Sequence, residues 1–568
     1  MSAVSSPTAV TPPPQHWPTL MARRGRTALT LGLALLVAAP ILVILASLFT
    51  QQSEVWAHLA ATVLPEYVRH SLVLLFGVGF GVAVIGTATA WLVTACRFPG
   101  SRWLQWGLLL PLATPTYLLA YTLSDFLDYY GPVQGLLRDL FGWSSSQDYW
   151  FPSIRSLPGA VLLFSLTLYP YVYLLARSSF LEQSHCTVEA ARSLGCSPWQ
   201  SFWRVALPLA RPAIAAGMAL ALMETLNDFG AVQYLGVNTF TTGIYRTWLG
   251  LGDRPAATQL SAVLLLFIAV LLILEWMSRR QARFYEAGSR YAEAPVYQLR
   301  GWRAGLAAII CLVPVLLGLV LPVGILLELA IHYSEEGSTD NLLDLTRHSL
   351  LLAGITAILA TFLGLTVSYG QRLQKSWLIQ LAVRTASLGY AIPGSVLAVG
   401  ILLALGGLDQ GLTALSDRLG GTAPILLTGT LVGLVFAYLV RFLAIAFSGI
   451  ESSLAKIRPS YDEAARSLGE SSSGVLRRIH LPLLSGGLLS VSMLVFVDVM
   501  KELPATLVMR PFNFDTLAVR VYQYASDERL AEAALPALMI LAAGLLPVIL
   551  ISRQVTQSAV RRPRLDPD

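Results

Sequence analysis

Long apolar runs alternate with short polar segments along this chain, from residue 28 to residue 552. Most runs approach the roughly 20 residues that a helix needs to cross a bilayer. The pattern predicts about twelve membrane-spanning helices, six in each half, of which the third and fifth are interrupted by proline, glycine or charge. The predicted spans are 28–49, 71–95, 104–125, 158–177, 212–235 and 258–277, then 304–330, 349–370, 379–405, 424–447, 483–503 and 534–552. The expected fold class is an all-α polytopic membrane protein.

One polar phrase occurs twice, once in each half. Glu189–Gly195 reads Glu-Ala-Ala-Arg-Ser-Leu-Gly, and the same seven residues recur at Glu463–Gly469, 274 residues later. A Leu-Pro pair follows each copy at the same distance, at 207–208 and 481–482. Since each half has an even number of spans, both halves share one orientation, which predicts a parallel repeat rather than an inverted one.

The repeat predicts the organisation of the whole chain. The expected regions are a disordered N-terminal tail at 1–27, a first six-helix repeat at 28–280 with a polar loop at 178–211, a linker at 281–303, a second repeat at 304–552 with a polar loop at 448–482, and a basic C-terminal tail at 553–568. The basic run at 23–26 precedes an apolar run too long for a secretory signal, so we expect an uncleaved first helix.

The composition agrees with a membrane protein and excludes an ordinary soluble one. Hydrophobic residues make up 55% of the chain, charged residues 13%, and the mean hydropathy is +0.63. The net charge of +6 is scattered between apolar segments, which is better explained by the positive-inside rule than by nucleic-acid binding. That rule predicts that both termini, the linker and both polar loops lie in the cytoplasm.

Each polar loop has the sequence of two short helices joined by a bend. Glu-Ala-Ala-Arg-Ser-Leu favours a helix, and Gly195 suits its left-handed end. Ser197 and Pro198 suit the N-cap and first position of a second helix, which we expect to end at Leu-Pro. The second copy has Ser471 in the capping position. Such a rigid pair of short helices can transmit a displacement from a soluble partner to the membrane helices.

The spacing of these residues resembles the coupling-loop motif of ATP-binding-cassette importer permeases. The resemblance implies two fused permease domains of the type I (MetI-like) fold in a bacterial inner membrane. It also implies as partners two copies of a separate cytoplasmic ATPase and an external solute-binding protein. The residues that would contact the ATPase or shape the loops are Glu189, Ala190, Ala191, Gly195, Leu207, Pro208, Glu463, Ala464, Ala465, Gly469, Leu481 and Pro482.

The sequence contains no Gly-x4-Gly-Lys-Ser/Thr phosphate loop, so nucleotide must bind to a partner. It also shows no hydrolytic triad, nucleophile elbow or histidine–cysteine cluster. We expect a transport subunit that is not itself an enzyme and binds no cofactor, ATP-Mg being held by the ATPase. No metal site is assigned, and no nucleic-acid partner is expected.

Acidic residues inside predicted spans are costly and therefore candidates for function. Two pairs occupy equivalent places in the fifth and eleventh spans, where they could face a shared cavity; they are Glu224, Asp228, Asp498 and Glu502. They could contact a cation directly, because hard oxygen ligands suit hard cations, or they could shape a gate near the outer end of the spans. Arg246 and Arg520, in equivalent external loops, could pair with these carboxylates or touch a docked binding protein.

The cargo is suggested by a second resemblance. The stretches 224–248 and 168–177 are similar to the fused permeases of ferric-iron importers. The same machine carrying thiamine or another small solute is the alternative. A secondary transporter would also fit two parallel six-helix halves, but the repeated polar loop argues against it. An intramembrane enzyme is disfavoured because no catalytic constellation is visible.

Overall fold

The computed structural model describes residues 17–47, 49, 54–182, 195, 197–280, 297–333, 341–373, 376–386, 389–420 and 426–560. The described chain is almost entirely helical. Helices of the first half are α1 Trp17–Ser47, α2 Glu54–Thr62, α3 Leu64–Ala95, α4 Ser101–Gly107, α5 Thr116–Leu127, α6 Pro132–Phe141, α7 Leu157–Glu182, α8 Pro198–Ser201, α9 Leu207–Asn227, α10 Gly230–Tyr234, α11 Phe240–Tyr245 and α12 Arg254–Arg280.

The second half repeats this order. Its helices are α13 Trp302–Val315, α14 Leu321–His332, α15 Leu342–Leu373, α16 Trp377–Ala386, α17 Gly394–Arg418, α18 Leu431–Ala455, α19 Pro459–Ser467, α20 Ser472–Val475, α21 Leu481–Met500, α22 Pro504–Met509, α23 Leu517–Ser526 and α24 Leu530–Val560. Two short parallel strands, β1 Cys96–Arg97 and β2 Tyr297–Gln298, join the end of α3 to the entry of the second half.

Ten helices in the described residues are long and apolar enough to cross a membrane, and a shorter apolar helix, Thr30–Ala46, coincides with the first predicted span. The predicted third span, 104–125, is wrong as one continuous helix. It is broken into α4, a 3-10 turn at Leu110–Ala113, and α5. Pro115 causes the second break, because it adopts an extended conformation (ψ 139°) at the N-cap of α5.

The ninth span is displaced for the same reason. Its predicted bounds were 379–405, but α16 ends at Ala386 and the membrane-length helix α17 starts at Gly394. Pro393 has an extended conformation (ψ 140°) at the N-cap, as Pro115 has in the first half. In each half a proline thus starts a helix in the middle of the apolar region.

The expectation that the Leu-Pro pairs end a short helix is also wrong. π-helical turns at Phe202–Ala206 and Leu476–His480 lead directly into α9 and α21. The Leu207 N–H donates to the Phe202 carbonyl and the Leu481 N–H to the Leu476 carbonyl, five residues earlier. Pro208 and Pro482 lack an N–H and would crowd a regular helix, so the wider turn lets the helix continue through them.

The first helix of each half packs against the other half. In the first half, α1 contacts α16 and α17, and in the second half α13 and α14 contact α3, α4 and α5. The contact between α1 and α17 is close, because a Cβ at Gly400 would lie 2.7 Å from the Pro40 carbonyl oxygen. Small residues permit such close approach of helices where no hydrophobic effect drives association. Because the first helix of each half packs against the other half, the two halves form a single bundle.

Candidate functional site

The four carboxylates singled out from the sequence line one cavity between the halves; they are Glu224, Asp228, Asp498 and Glu502. The cavity lies where α9 and α21 end and where α5 begins, with the middle of α7 and α18 along its sides. Its volume, counted as the space open to the centres of water molecules, is about 90 Å³. The space therefore suits a few waters or a small hydrated ion.

The halves meet at the same place. The Asn227 side-chain oxygen, at the end of α9, accepts a hydrogen bond of 2.7 Å from the Gly394 N–H, at the start of α17. A Cβ at Gly230 would lie 2.7 Å from the Leu503 side chain and 2.9 Å from Cβ of Tyr117. The cavity is thus enclosed by elements of both halves.

Asp228 and Glu502 are not on the face of a long helix, as the predicted spans implied. They lie beyond the ends of α9 and α21 and hold the next short helix. The Asp228 carboxylate accepts from the N–H groups of Ala231 (2.9 Å) and Val232 (3.2 Å), and the Thr116 hydroxyl also donates to it. The first N–H groups of a helix have no partner within the helix, and a carboxylate here satisfies them.

Glu502 has the same position in the second half. It accepts from the Ala505 N–H at 3.0 Å and forms an ion pair of 2.7 Å with Arg441 of α18. Both side chains are about 5% exposed. Sequence reasoning missed the role of Arg441. The signal was available, since an arginine inside an apolar span is costly unless a partner compensates for it.

Glu224 and Asp498 are the second equivalent pair, and both lie within the last turn of their helices. The Asp498 carboxylate forms an ion pair of 2.9 Å with Lys501, and the two side chains are 20% and 27% exposed. Lys501 also interacts electrostatically with Glu224 of the first half. Within the described ranges, no group of three or more histidine, cysteine or acidic residues has the arrangement of a metal site.

Arg246 and Arg520 do not line the cavity, and the predicted pairing with its carboxylates is wrong. Arg246 donates to the Asn238 side-chain oxygen at 3.3 Å, and Arg520 pairs with Asp515 at 2.9 Å. A local acceptor therefore lies within reach of each guanidinium. Contact of these arginines with a docked binding protein stays a prediction.

The second polar loop has the predicted helix–bend–helix form. Glu463, Ala464 and Ala465 lie on α19, the first two exposed and the third buried. Gly469 ends this helix with a φ of +88°, a left-handed conformation that disfavours other residues. The Ser471 hydroxyl then accepts from the Gly474 N–H at 3.2 Å and caps α20.

Arg372 and His480 connect this loop to three long helices, α15, α18 and α21. Arg372, at the end of α15, donates to the Asp462 carboxylate of α19 at 3.0 and 3.3 Å. It also donates to the carbonyls of Leu454 (2.8 Å) and Ile457 (3.0 Å), at and just beyond the end of α18. The fully buried His480, which leads into α21, contacts the same carboxylate at 2.7 Å.

The charge state of Asp462 follows from these partners. Burial alone would raise the pKa of its carboxyl group. Hydrogen bonds from Arg372 and His480, together with the positive charge of Arg372, outweigh burial and lower the pKa below its ordinary value of 3.8. The carboxylate is therefore ionised at neutral pH and remains an acceptor for both neighbours.

The first polar loop is described only in part. Glu189, Ala190 and Ala191 lie outside the described residues. Gly195 has a φ of +84°, as predicted for a helix end. Ser197 and Gln200 form reciprocal hydrogen bonds of 2.9 and 3.3 Å that start α8.

Aromatic rings pack together where the described end of the first loop meets α3 and α7. The Trp91 ring of α3 lies 5.3 Å from the Phe180 ring and 5.0 Å from the Phe202 ring. Phe180 belongs to α7 and Phe202 to the turn that leads into α9. An aromatic contact also occurs at the second loop, where the Tyr369 ring lies 5.5 Å from the His480 ring.

Comparison with known proteins identifies the family. The family model described as "Binding-protein-dependent transport system inner membrane component" matches residues 83–284 and 357–561. The chain is 25% identical over 502 residues to the Fe(3+)-transport system permease protein FbpB 2 of Haemophilus influenzae, covering 86% of this chain and 90% of the relative.

Permeases named for other cargoes are similar over shorter stretches. The sulfate transport system permease protein CysT of Escherichia coli is 30% identical, covering 45% of this chain and 92% of its own. The molybdenum transport system permease protein ModB of Escherichia coli is also 30% identical, covering 37% of this chain and 89% of its own. With two matched regions spanning more than half of its length, the chain belongs to the family of binding-protein-dependent transport system inner membrane components.

Proposed function

We propose that this multi-pass inner-membrane permease subunit of an ATP-binding-cassette importer translocates ferric iron. The observation that carries the proposal is the cavity between the halves, whose charged lining consists of four carboxylates, Arg441 and Lys501. Carboxylates in excess over cations attract a positively charged cargo and repel an anion. The similarity to the Fe(3+)-transport permease over most of the chain supports the same cargo.

The proposal includes the partners implied by the family. An external solute-binding protein would deliver iron, and two copies of an ATPase would dock on the polar loops. ATP-Mg would be held by the ATPase, and this chain would bind no cofactor or nucleic acid and catalyse no reaction. We place both termini in the cytoplasm, and keep the two repeats at 28–280 and 304–552 between an N-terminal tail, a linker and a C-terminal tail.

The contacts of the second loop suggest how a displacement caused by the ATPase is transmitted to the cavity. His480 and Asp462 join α19 to the start of α21, a helix of 20 residues and hence about 30 Å long. Its far end leads to Asp498, Lys501 and Glu502 at the cavity. A displacement of α19 by the ATPase would therefore move α21 as a lever. In the first half, the contact between Trp91 and Phe202 would link α3 to the turn that leads into α9.

Uptake of labelled ferric iron by iron-starved cells, with and without this chain, tests the cargo. Labelled thiamine, sulfate and molybdate are measured in parallel. Selective loss of ferric-iron uptake without the chain is the expected result. Selective loss of sulfate or molybdate uptake would instead indicate an oxyanion cargo, with Arg441 and Lys501 as its attractors, and selective loss of thiamine uptake would indicate the organic alternative.

The carboxylates allow a sharper test within the same assay. Glu224→Gln with Asp498→Asn removes charge from the pair that does not cap a helix, so we expect slower ferric-iron uptake with normal amounts of protein and normal ATPase binding. Asp228→Asn with Glu502→Gln weakens helix caps and should reduce the amount of folded protein as well. Wild-type uptake kinetics in the first double variant would contradict a role for these charges in translocation.

The coupling role has its own test. Gly195→Pro with Gly469→Pro cannot keep the left-handed bends, because proline fixes φ near −65°. We expect this variant to insert into the membrane but to lose uptake. Normal uptake at normal protein level would rule out a coupling role for the loops.

A further inference from the structure

The two halves differ in charge at equivalent positions around the cavity. In the 274-residue repeat, Asn227 of the first half corresponds to Lys501 of the second, and Thr167 corresponds to Arg441. All four residues line the cavity. The first half therefore supplies neutral side chains where the second supplies cations.

The two cations have different surroundings. Arg441 and Glu502 are both about 5% exposed, and the pair is part of the packed structure. Lys501 is 27% exposed, so its ammonium group can be reached from the cavity. It forms an ion pair with Asp498 at 2.9 Å and also interacts with Glu224, which belongs to the other half. Lys501 thus places one positive charge between acidic groups of both halves.

Two residues that line the cavity carry buried hydroxyl groups. Thr114 and Tyr117 line the cavity, and each is 4% exposed. Their hydroxyl oxygens have no hydrogen-bond partner within the part of the chain that the structure describes. A buried hydroxyl without a partner is costly. The carboxylate oxygens of the same cavity are ligands that hard cations prefer.

We propose that Lys501 is a tethered counter-cation, which occupies the position between Glu224 and Asp498 that a translocated cation must take. This inference rests on the proposed function in that it assumes a cation pathway through the cavity. The attraction between a cation and two carboxylates grows with the charge of the cation. A trivalent or divalent ion can therefore displace the ammonium group, whereas a monovalent ion competes poorly with it. Lys501 would close the pathway to sodium and potassium ions.

The test is cation leakage through the full permease and its ATPase in proteoliposomes, without binding protein and without iron. Lys501→Asn copies the residue at the equivalent position of the first half and leaves both carboxylates without their tethered cation. We expect potassium permeability to rise about tenfold or more, because an uncompensated negative site concentrates counter-ions. Lys501→Arg keeps the charge and is the matched control, with wild-type tightness expected.

A charge-restoring variant separates electrostatics from loosened packing. Lys501→Asn with Asp498→Asn returns the cavity to its wild-type net charge, so its potassium leak should fall back towards the wild-type level. Chloride permeability should stay at the wild-type level in every variant. A tight Lys501→Asn variant, an equal leak in the double variant, or a parallel rise in chloride permeability would each overturn the proposal. Since the assay uses no iron, failure of the ferric-iron proposal would appear in the uptake assay and not here.

Discussion

Arg372 is the residue whose loss should most directly detach the second polar loop from the bundle. Arg372→Ala removes two hydrogen bonds to the Asp462 carboxylate and two to the carbonyls of Leu454 and Ile457. Hydrogen bonds to charged groups contribute about 1.5–3 kcal/mol each when they are shielded from water. The Arg372 and Asp462 side chains are 17% and 15% exposed, so solvent weakens these contacts.

We therefore expect a loss of about 3 kcal/mol in the attachment of α19, not the sum of four full contributions. Since each 1.4 kcal/mol changes an equilibrium tenfold, the detached state should become about a hundredfold more populated. Hydrogen exchange of backbone amides at 459–467, in the full chain reconstituted in lipid nanodiscs, measures this population. Exchange should accelerate in α19 and stay slow in the middle of α15.

Thr94 provides the control, because it lies 278 residues before Arg372, the same spacing that separates Pro115 from Pro393. Thr94 donates to the Ala90 carbonyl within its own helix at 2.7 Å, so Thr94→Ala should leave exchange in α19 unchanged. ATP-driven uptake should fall in Arg372→Ala and stay normal in Thr94→Ala. If α19 exchanged as slowly in Arg372→Ala as in the wild type, the proposed anchoring role of Arg372 would be wrong.

Three further variants or conditions test single features. Arg441→Met should lower the thermal stability of the folded protein, because it leaves the Glu502 charge buried without its partner at a cost of about 3–5 kcal/mol; adding Glu502→Gln should recover most of the loss. Gly469→Ala should destabilise the loop by about 1–2 kcal/mol, measured by hydrogen exchange, because φ is +88° there, whereas Gly411→Ala within α17 should not destabilise its helix. Because the pKa of Asp462 is lowered, the stability that its ionised form contributes is present at neutral pH and is lost only when the pH falls below the ordinary value of 3.8. If α19 lost its protection from hydrogen exchange between pH 7 and about pH 5, this assignment would be wrong.

The sequence predicted the helical class and the repeat because both depend on patterns that extend over many residues. Apolar runs of membrane length and two copies of one polar phrase, each followed by Leu-Pro at the same distance, leave few alternatives. The bend at Gly469 and the cap at Ser471 were also predictable, since local backbone chemistry decides them. The structure confirms these features in the described part of each loop.

The errors occurred where proline acts within an apolar run. Pro115 and Pro393 start helices in the middle of the bundle, whereas Pro208 and Pro482 are absorbed by π-helical turns. The sequence is apolar on both sides of Pro115 and Pro393, so hydropathy cannot distinguish a break from a continuation there. The outcome depends on whether neighbouring helices supply partners for the freed backbone groups, which is a tertiary property.

The acidic residues of the candidate site could be predicted from the sequence. The difference between the pair that caps helices and the pair that does not could not be predicted. Charge inside a span pointed to Glu224, Asp228, Asp498 and Glu502. Capping by Asp228 and Glu502 depends on where α9 and α21 end, and the predicted spans ran past those ends. The partners of Arg246 and Arg520 were missed because local acceptors, Asn238 and Asp515, lie closer than the cavity.

The differences between the halves have a physical consequence that two identical subunits could not produce. In a symmetric pair of second halves, Lys501 and Arg441 would each occur twice around the same cavity. Their four positive charges would balance the four carboxylates, and the two ammonium groups would repel each other. In the fused chain, Asn227 holds the Gly394 N–H of the other half while Lys501 supplies a single positive charge. Arg441 and Glu502 likewise form one buried pair rather than two. Because the two fused repeats differ in sequence, a lysine without a counterpart in the other half can lie at the centre of an otherwise two-fold bundle. The cavity then keeps an excess of negative charge, which attracts a cation.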